Sequence, residues 1–195
     1  DGVGVGHGTV CVLPAGVENA DGTVTYTYTL RDGAKWSDGQ PVTANDFVFS
    51  WNRAASPDLA ADYCYMLEVV KGYEEMWEED DSGNLKTPDA KLAVTAKDDK
   101  TLEVTLYNAV SYWNELLAFP SYYPVREDVV SNDSWATDPS TYVSNGAYTM
   151  TGWDHNSVIT VEKNPNFIDA DTITMDKIEF YLSDDANNML SNFRN

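Results

Sequence analysis

Two histidines, two cysteines and 32 Asp and Glu residues are the side chains that could do chemistry in this 195-residue chain. His7 and His155 each stand alone, and a lone histidine is more often a surface or satisfied residue than a general base. Cys11 and Cys64 lie far apart, in no Cys-x-x-Cys spacing, so neither a zinc ribbon nor a redox motif is offered. One disulfide in an extracellular protein and two separate buried thiols both fit them. No Gly-x-Ser-x-Gly elbow, His-Glu-x-x-His or Walker loop occurs. The glycines at 2, 4, 6 and 8 miss the phosphate-binding Gly-x-Gly-x-x-Gly pattern and read as a flexible terminus or edge strand. A glycosidase needs one defined carboxylate pair, and with 32 acids the existence of candidate pairs decides nothing. Glu74 to Asp81 holds six carboxylates in eight residues, and Asp80 and Ser82 before Gly83 echo part of a calcium loop. Glu78 replaces the first Asp of that loop and Asp89 its bidentate Glu, so an acidic surface loop is expected. Catalysis, a resident metal and a cofactor are therefore all expected to be absent.

The charge excludes a second group of functions. Against the 32 acids stand 12 Lys and Arg, a net charge of −20, which repels phosphate backbones and anionic lipid. Nucleic acid is not an expected partner. The chain is 43% hydrophobic and 12% aromatic, too apolar to be largely disordered. No apolar run reaches the roughly 18 residues of a membrane span. Gly8-Thr9-Val10 before Cys11 is not the small-residue context of a lipoprotein cleavage site, and neither a basic nor an apolar leader precedes it. Any export signal is thus expected to be missing from this chain.

The elements that position these residues follow from periodicity and turn chemistry. Val24, Tyr26, Tyr28 and Leu30 alternate with threonines in a strand over 23–31. Asp32-Gly33 and Asp38-Gly39 offer glycines for positive φ, with Trp36 between them as a plug over the sheet end. Thr43 caps a helix over 44–54, Asp46 sits at the positive end of its dipole, and Phe47, Val48 and Trp51 form its apolar stripe. Ser56-Pro57-Asp58 breaks the chain. A second amphipathic segment runs from about 59 to 78 and concentrates Tyr63, Tyr65, Met66, Leu67, Tyr73, Met76 and Trp77. Residues 91–97 and 101–107 read as a hairpin. Residues 112–119 read as a short helix ended by Pro120, 122–125 as extended chain and 127–131 as a helical turn. Asn145-Gly146 signals a tight turn into a strand over 147–153, followed by strands over 157–163 and 178–182. Asp184 is expected to cap a last helix, with Ala186, Leu190 and Phe193 inward.

The run from Leu30 to Trp51, LRDGAKWSDGQPVTANDFVFSW, resembles the signature of the extracellular solute-binding proteins of the oligopeptide-binding type (family 5), the receptors of peptide-importing ABC transporters. Tyr142-Val143-Ser144-Asn145-Gly146-Ala147-Tyr148, with Trp153 and the run Val158 to Phe167, is a second match. Asp98 to Leu106 is a third. All three occur in the family's order.

The resemblance implies a mixed α+β (α/β) fold of the type II periplasmic-binding-protein kind: one lobe with a small α+β subdomain, the second lobe absent. Residues 1–31 are then N-terminal strands, 32–125 the small subdomain and 126–195 part of the main lobe's sheet, ending before the crossing to the second lobe. The implied function is capture of an extended oligopeptide between two lobes, this chain being one, followed by handover to the transporter's permease subunits. The implied location is extracellular, as a cell-surface lipoprotein or in the periplasm, with membrane contact only through an N-terminal anchor that this chain lacks. In the resemblance, the tyrosine after the helix-breaking loop lines the peptide cleft, and Tyr63 stands at that position. Asn145 and Gly146 are the other candidate ligand-binding residues. The alternative is a carbohydrate-binding module that stacks sugars on exposed rings. Trp36, Trp51 and Trp113 fall on apolar faces or between turns, as core residues do, and favour the peptide receptor.

Overall fold

Residues 14–194 are described by the structure, a computed structural model. The glycine-rich start, His7, residues 9–13, which read from sequence as a short strand, and any pairing of Cys11 with Cys64 lie outside those residues. The chain divides into two compact units. Of the described residues, the first contains those up to Ala34 and Pro41–Glu127; the second contains Lys35–Gln40 and those from Asp128 onward.

The first unit is built on an antiparallel sheet of β1 (Val17–Glu18), β2 (Val24–Thr29), β3 (Val94–Ala96) and β4 (Thr101–Leu106), in the order β1-β2-β4-β3. Alternation fixes its register. Val24 pairs with Leu106, Tyr26 with Val104 and Tyr28 with Leu102, which brings the apolar positions of both strands to one face. The pairing of β2 with β4 keeps the strand before position 31 in the same sheet as the hairpin far beyond it.

Helix α1 (Ala44–Ala55) covers that face with Phe47, Trp51 and Ala55, all buried. Its start is a capping box: the Asp46 carboxylate accepts the Thr43 backbone N–H at 2.7 Å and the Thr43 hydroxyl at 3.1 Å. Beneath it lies a cluster of aromatic rings. Trp51, Trp113 and Tyr122 meet edge to face with centroids 5.1–6.2 Å apart, the preferred geometry for ring quadrupoles. Their polar ends are satisfied inside the cluster: Trp113 Nε1–H donates to Tyr28 Oη at 2.6 Å, and Tyr122 Oη–H donates to the Met66 carbonyl at 2.6 Å.

The segment over 59–78 is not one amphipathic stretch. It holds a 3₁₀ turn (Cys64–Leu67) and α2 (Tyr73–Trp77), separated by Gly72 at φ +99°. A Cβ there would sit 2.2 Å from the Lys91 carbonyl oxygen, so a residue with a side chain fits neither the angle nor the space. The expected helix over 112–119 is short as well: α3 (Trp113–Leu116) gives way to a 3₁₀ turn that begins at Pro120 and includes Tyr122. α4 (Glu127–Val130) follows, where the chain passes from one unit to the other.

The second unit is an antiparallel sheet in the order β5 (Tyr148–Asp154), β6 (Val158–Lys163), β7 (Lys177–Tyr181), with a bulge in β5 between Met150 and Gly152. Its core is thin. Trp36, Met150 and Asn164 are the buried residues of this unit among those described. Neither face of β6 is fully buried: every residue but Glu162 is half-buried. Helix α5 (Ala186–Arg194) corrects two expectations. Its N-terminal N–H groups at Asn187 and Asn188 are taken by Asp185, not Asp184. Ala186, Leu190 and Phe193 do not face inward, since Phe193 is 88% exposed and nothing on the helix is buried. Local capping is enough to form this helix, but its apolar side has no layer to cover it among the described residues.

Candidate functional site

Tyr63 belongs to the first unit and stands just before the 3₁₀ turn. The turn closes on itself, with Met66 N–H donating to the Tyr63 carbonyl at 3.1 Å. It is also anchored from below, because Leu67 is fully buried and the Met66 carbonyl accepts the Tyr122 hydroxyl. The Tyr63 backbone is therefore fixed while its ring is 53% exposed. Phe119 backs that ring at 5.4 Å between centroids, and Tyr65, also exposed, lies 6.1 Å away. Such a surface is suited to stacking on an apolar or aromatic group, with a phenolic hydroxyl left for a polar one. Phe119 and Tyr65 were not singled out from sequence as parts of a site; only the exposure of the ring beside them distinguishes them from core aromatics.

Asn145 and Gly146 belong to the second unit. They do not form the tight turn expected of an Asn-Gly pair. Gly146 is absent from the positive-φ glycines, and a Cβ built on it meets only the Tyr148 carbonyl oxygen at 3.9 Å. The segment is held instead by partners distant in sequence. Asn164, fully buried, donates Nδ2–H to the Gly146 carbonyl at 2.9 Å and its backbone N–H to the Ala147 carbonyl at 2.9 Å. Its Oδ1 accepts the Asn166 N–H at 2.9 Å. On the other side, Ser37 N–H donates to the Ser144 carbonyl at 2.7 Å, and Asn166 Nδ2–H donates to the Ser37 carbonyl at 3.0 Å. Asn164 lies within the matched run Val158 to Phe167 but is not among the candidate residues named from sequence. A buried amide hydrogen-bonded at both its nitrogen and its oxygen is a strong local organiser, because breaking either bond is costly.

Several other chemistry-bearing residues are occupied locally. Asp80 accepts the N–H groups of Asn84 and Ser82 at 3.0 and 2.8 Å, which holds its carboxyl below the usual range. Glu78 pairs with Lys86 at 2.7 Å. The acidic run is thus an Asx-turn hairpin, closed by a bridge between Glu79 and Leu85. Among the described residues no group of three or more His, Cys, Asp or Glu is arranged to hold a metal ion. His155 stacks on Trp153 with centroids 4.5 Å apart. Cys64 Sγ accepts the Tyr73 hydroxyl at 3.5 Å, and burial, then this contact, push the Tyr73 phenol well above its ordinary range. Trp36, Trp51 and Trp113 are each at most 2% exposed, so the row of open indoles that a sugar-binding module needs is missing from these positions.

The family described as bacterial extracellular solute-binding proteins, family 5 Middle, matches residues 13–195. The oligopeptide-binding protein OppA of Bacillus subtilis (strain 168) is 39% identical over 180 residues, covering 91% of this chain and 32% of that protein. The dipeptide-binding protein DppE of the same organism is 40% identical over 164 residues, covering 84% of this chain and 29% of that protein. Among solved structures, the substrate-binding domain of an oligopeptide ABC transporter from Bacillus anthracis str. Ames superimposes with a TM-score of 0.81 at 32% identity, over 97% of this chain and 38% of that one. Peptide-bound OppA of Listeria monocytogenes gives 0.80 at 30% identity, over 97% and 39%. The mixed α+β fold is therefore that of peptide-binding receptors over this portion, and the chain spans about a third of the length of the curated relatives it matches.

Proposed function

The chain belongs to the bacterial extracellular solute-binding proteins, family 5, and from that premise we propose that it supplies one wall of the oligopeptide-binding cleft of an ABC importer's substrate-binding component. The observation that carries this reading is the Tyr63 ring, half exposed on a turn whose backbone is pinned to the core and backed by Phe119. The ligand class is taken from the relatives, which are named for binding oligopeptides and dipeptides. In this reading Tyr63 stacks on a peptide side chain, and Asn145 and Gly146 line the wall with main-chain and amide groups. A second wall closes over the peptide, so that main-chain hydrogen bonds give affinity largely independent of peptide sequence. No bond of the ligand is made or broken. The loaded protein is recognised by permease subunits, and a lipid anchor or confinement to the periplasm keeps it outside the cytoplasm.

Calorimetric titration with mixed short peptides tests this. A micromolar binder gains about −8 kcal/mol, and half of that corresponds to roughly millimolar affinity. One wall leaves the peptide half solvated, so this chain is expected to bind no tighter than about 100 µM, and the complete gene product far more tightly. A complete gene product that binds no peptide overturns the reading.

A further inference from the structure

A groove of about 590 Å³ opens on the first unit between α2 and the chain that follows β4. Its walls include Glu68, Tyr73, Glu74, Trp77, Tyr107 and Tyr112, none of which the peptide reading uses. The rings are held by their polar ends. Tyr73 and Trp77, one helical turn apart, stack with centroids 6.1 Å apart and planes 29° from parallel. The Trp77 indole N–H donates to the Ala55 carbonyl at 2.9 Å, and the Tyr73 hydroxyl reaches Cys64 Sγ at 3.5 Å. The Tyr107 hydroxyl accepts the N–H groups of Gly72 and Glu74 at 3.0 and 3.1 Å and donates to Glu75 at 2.6 Å. Tyr112, 55% exposed, contributes the outermost ring. No ion pair involves Glu68 or Glu74 among the described residues.

We propose that this groove binds a small organic ammonium ion carrying an apolar body. The class follows from charge complementarity. Aromatic faces attract a cation through their quadrupoles. The Glu68 and Glu74 carboxylates supply the opposite charge, within a chain of net charge −20 that disfavours anions throughout. The ring surfaces take the apolar body out of water. Tyr63 is not part of this site, and the inference stands whether or not the peptide reading does.

The test is a titration of the 195-residue chain with phenethylammonium, followed through the Trp77 indole N–H resonance. The comparison ligands are 2-phenylethanol, which has the same body without the charge, and 3-phenylpropionate, which has the opposite charge. Phenethylammonium is expected to give a saturable shift and to bind about tenfold more tightly than the alcohol, with the carboxylate weakest. Glu68→Gln and Tyr112→Ala, both at exposed positions, are expected to weaken it about threefold or more while leaving Tm unchanged. Equal affinity for the ammonium and the alcohol overturns the proposal, as does the lack of a saturable shift. So does ammonium binding that both variants leave untouched, which is the signature of general attraction to an acidic surface.

Discussion

Trp51 donates its indole N–H to the Tyr122 carbonyl at 2.8 Å while its ring meets the Tyr122 ring edge to face, centroids 5.1 Å apart. One side chain thereby fastens α1 to chain lying 71 residues further on, by a hydrogen bond and by packing together.

The two contributions are separable. Trp51→Ala is expected to cost about 3–5 kcal/mol, because it empties a large volume in the aromatic cluster. Trp51→Phe keeps a ring but leaves the Tyr122 carbonyl unpaired in a buried place, at about 1–3 kcal/mol. Urea unfolding of both variants measures the difference. If the two cost the same, ring packing is not what holds the helix.

Tyr63→Ala should leave Tm nearly unchanged, since the ring is half exposed and the turn is anchored through Leu67 and Met66. In the complete gene product it should weaken peptide binding by about tenfold, the range of one aromatic contact. Unaltered binding there removes Tyr63 from the site.

Two glycines should respond oppositely to alanine. At Gly72 the new Cβ meets the Lys91 carbonyl oxygen at 2.2 Å with φ at +99°, so a loss of about 2 kcal/mol or more is expected. At Gly146 the Cβ has ordinary contact distances and φ is not positive, and the change should stay within about 1 kcal/mol. Thermal melts of the two variants check the contrast.

Stability should peak in mildly acidic solution. Moving down from neutral pH first relieves the repulsion of a −20 chain. Further down, native hydrogen bonds are lost. The Lys100 N–H holds the Asp98 carboxyl below its usual range, and the Tyr107 hydroxyl does the same for Glu75. A pKa depressed by folding contributes stability above the unfolded value, about 4, and that contribution disappears as pH falls through the folded value. Urea midpoints should therefore drop below about pH 4, and less steeply in Asp98→Asn. A midpoint still rising at about pH 3 contradicts this.

Met189, Leu190 and Phe193 expose 53, 47 and 88% of their surface on α5, and an apolar helix side of this kind favours association. Sedimentation is expected to show concentration-dependent self-association that Leu190→Ser with Phe193→Ser reduces.

Local chemistry was legible in the sequence. Gly33 and Gly39 do take positive φ, at +86° and +89°, and the Thr43–Asp46 cap and the β3–β4 hairpin stand where short-range signals put them. Leu102, Val104 and Leu106, alternate residues of that hairpin, are all buried. What could not be read depends on partners far along the chain. Gly72 is required by Lys91, and Asn164 is committed to Gly146 and Ala147; no spacing rule links such positions. The inward face assigned to α5 failed for the same reason, since periodicity marks an apolar side without supplying the layer that covers it. Tyr63 was distinguished from its aromatic neighbours by family resemblance, not by its own pattern.

The placement of Lys35–Gln40 in the second unit has a consequence during synthesis. Ser37 is translated 107 residues before Ser144, whose N–H donates to its hydroxyl at 3.2 Å. At typical elongation rates the interval is roughly 5–20 s. For most of it the first unit's residues are being completed, while the hexapeptide has been made without the rest of its own unit. Trp36, 1% exposed in the finished fold, then lacks the later-made residues of its own unit. Chaperone crosslinking from a photoreactive group at position 36 should accordingly cease only after the chain has grown well past Asn164.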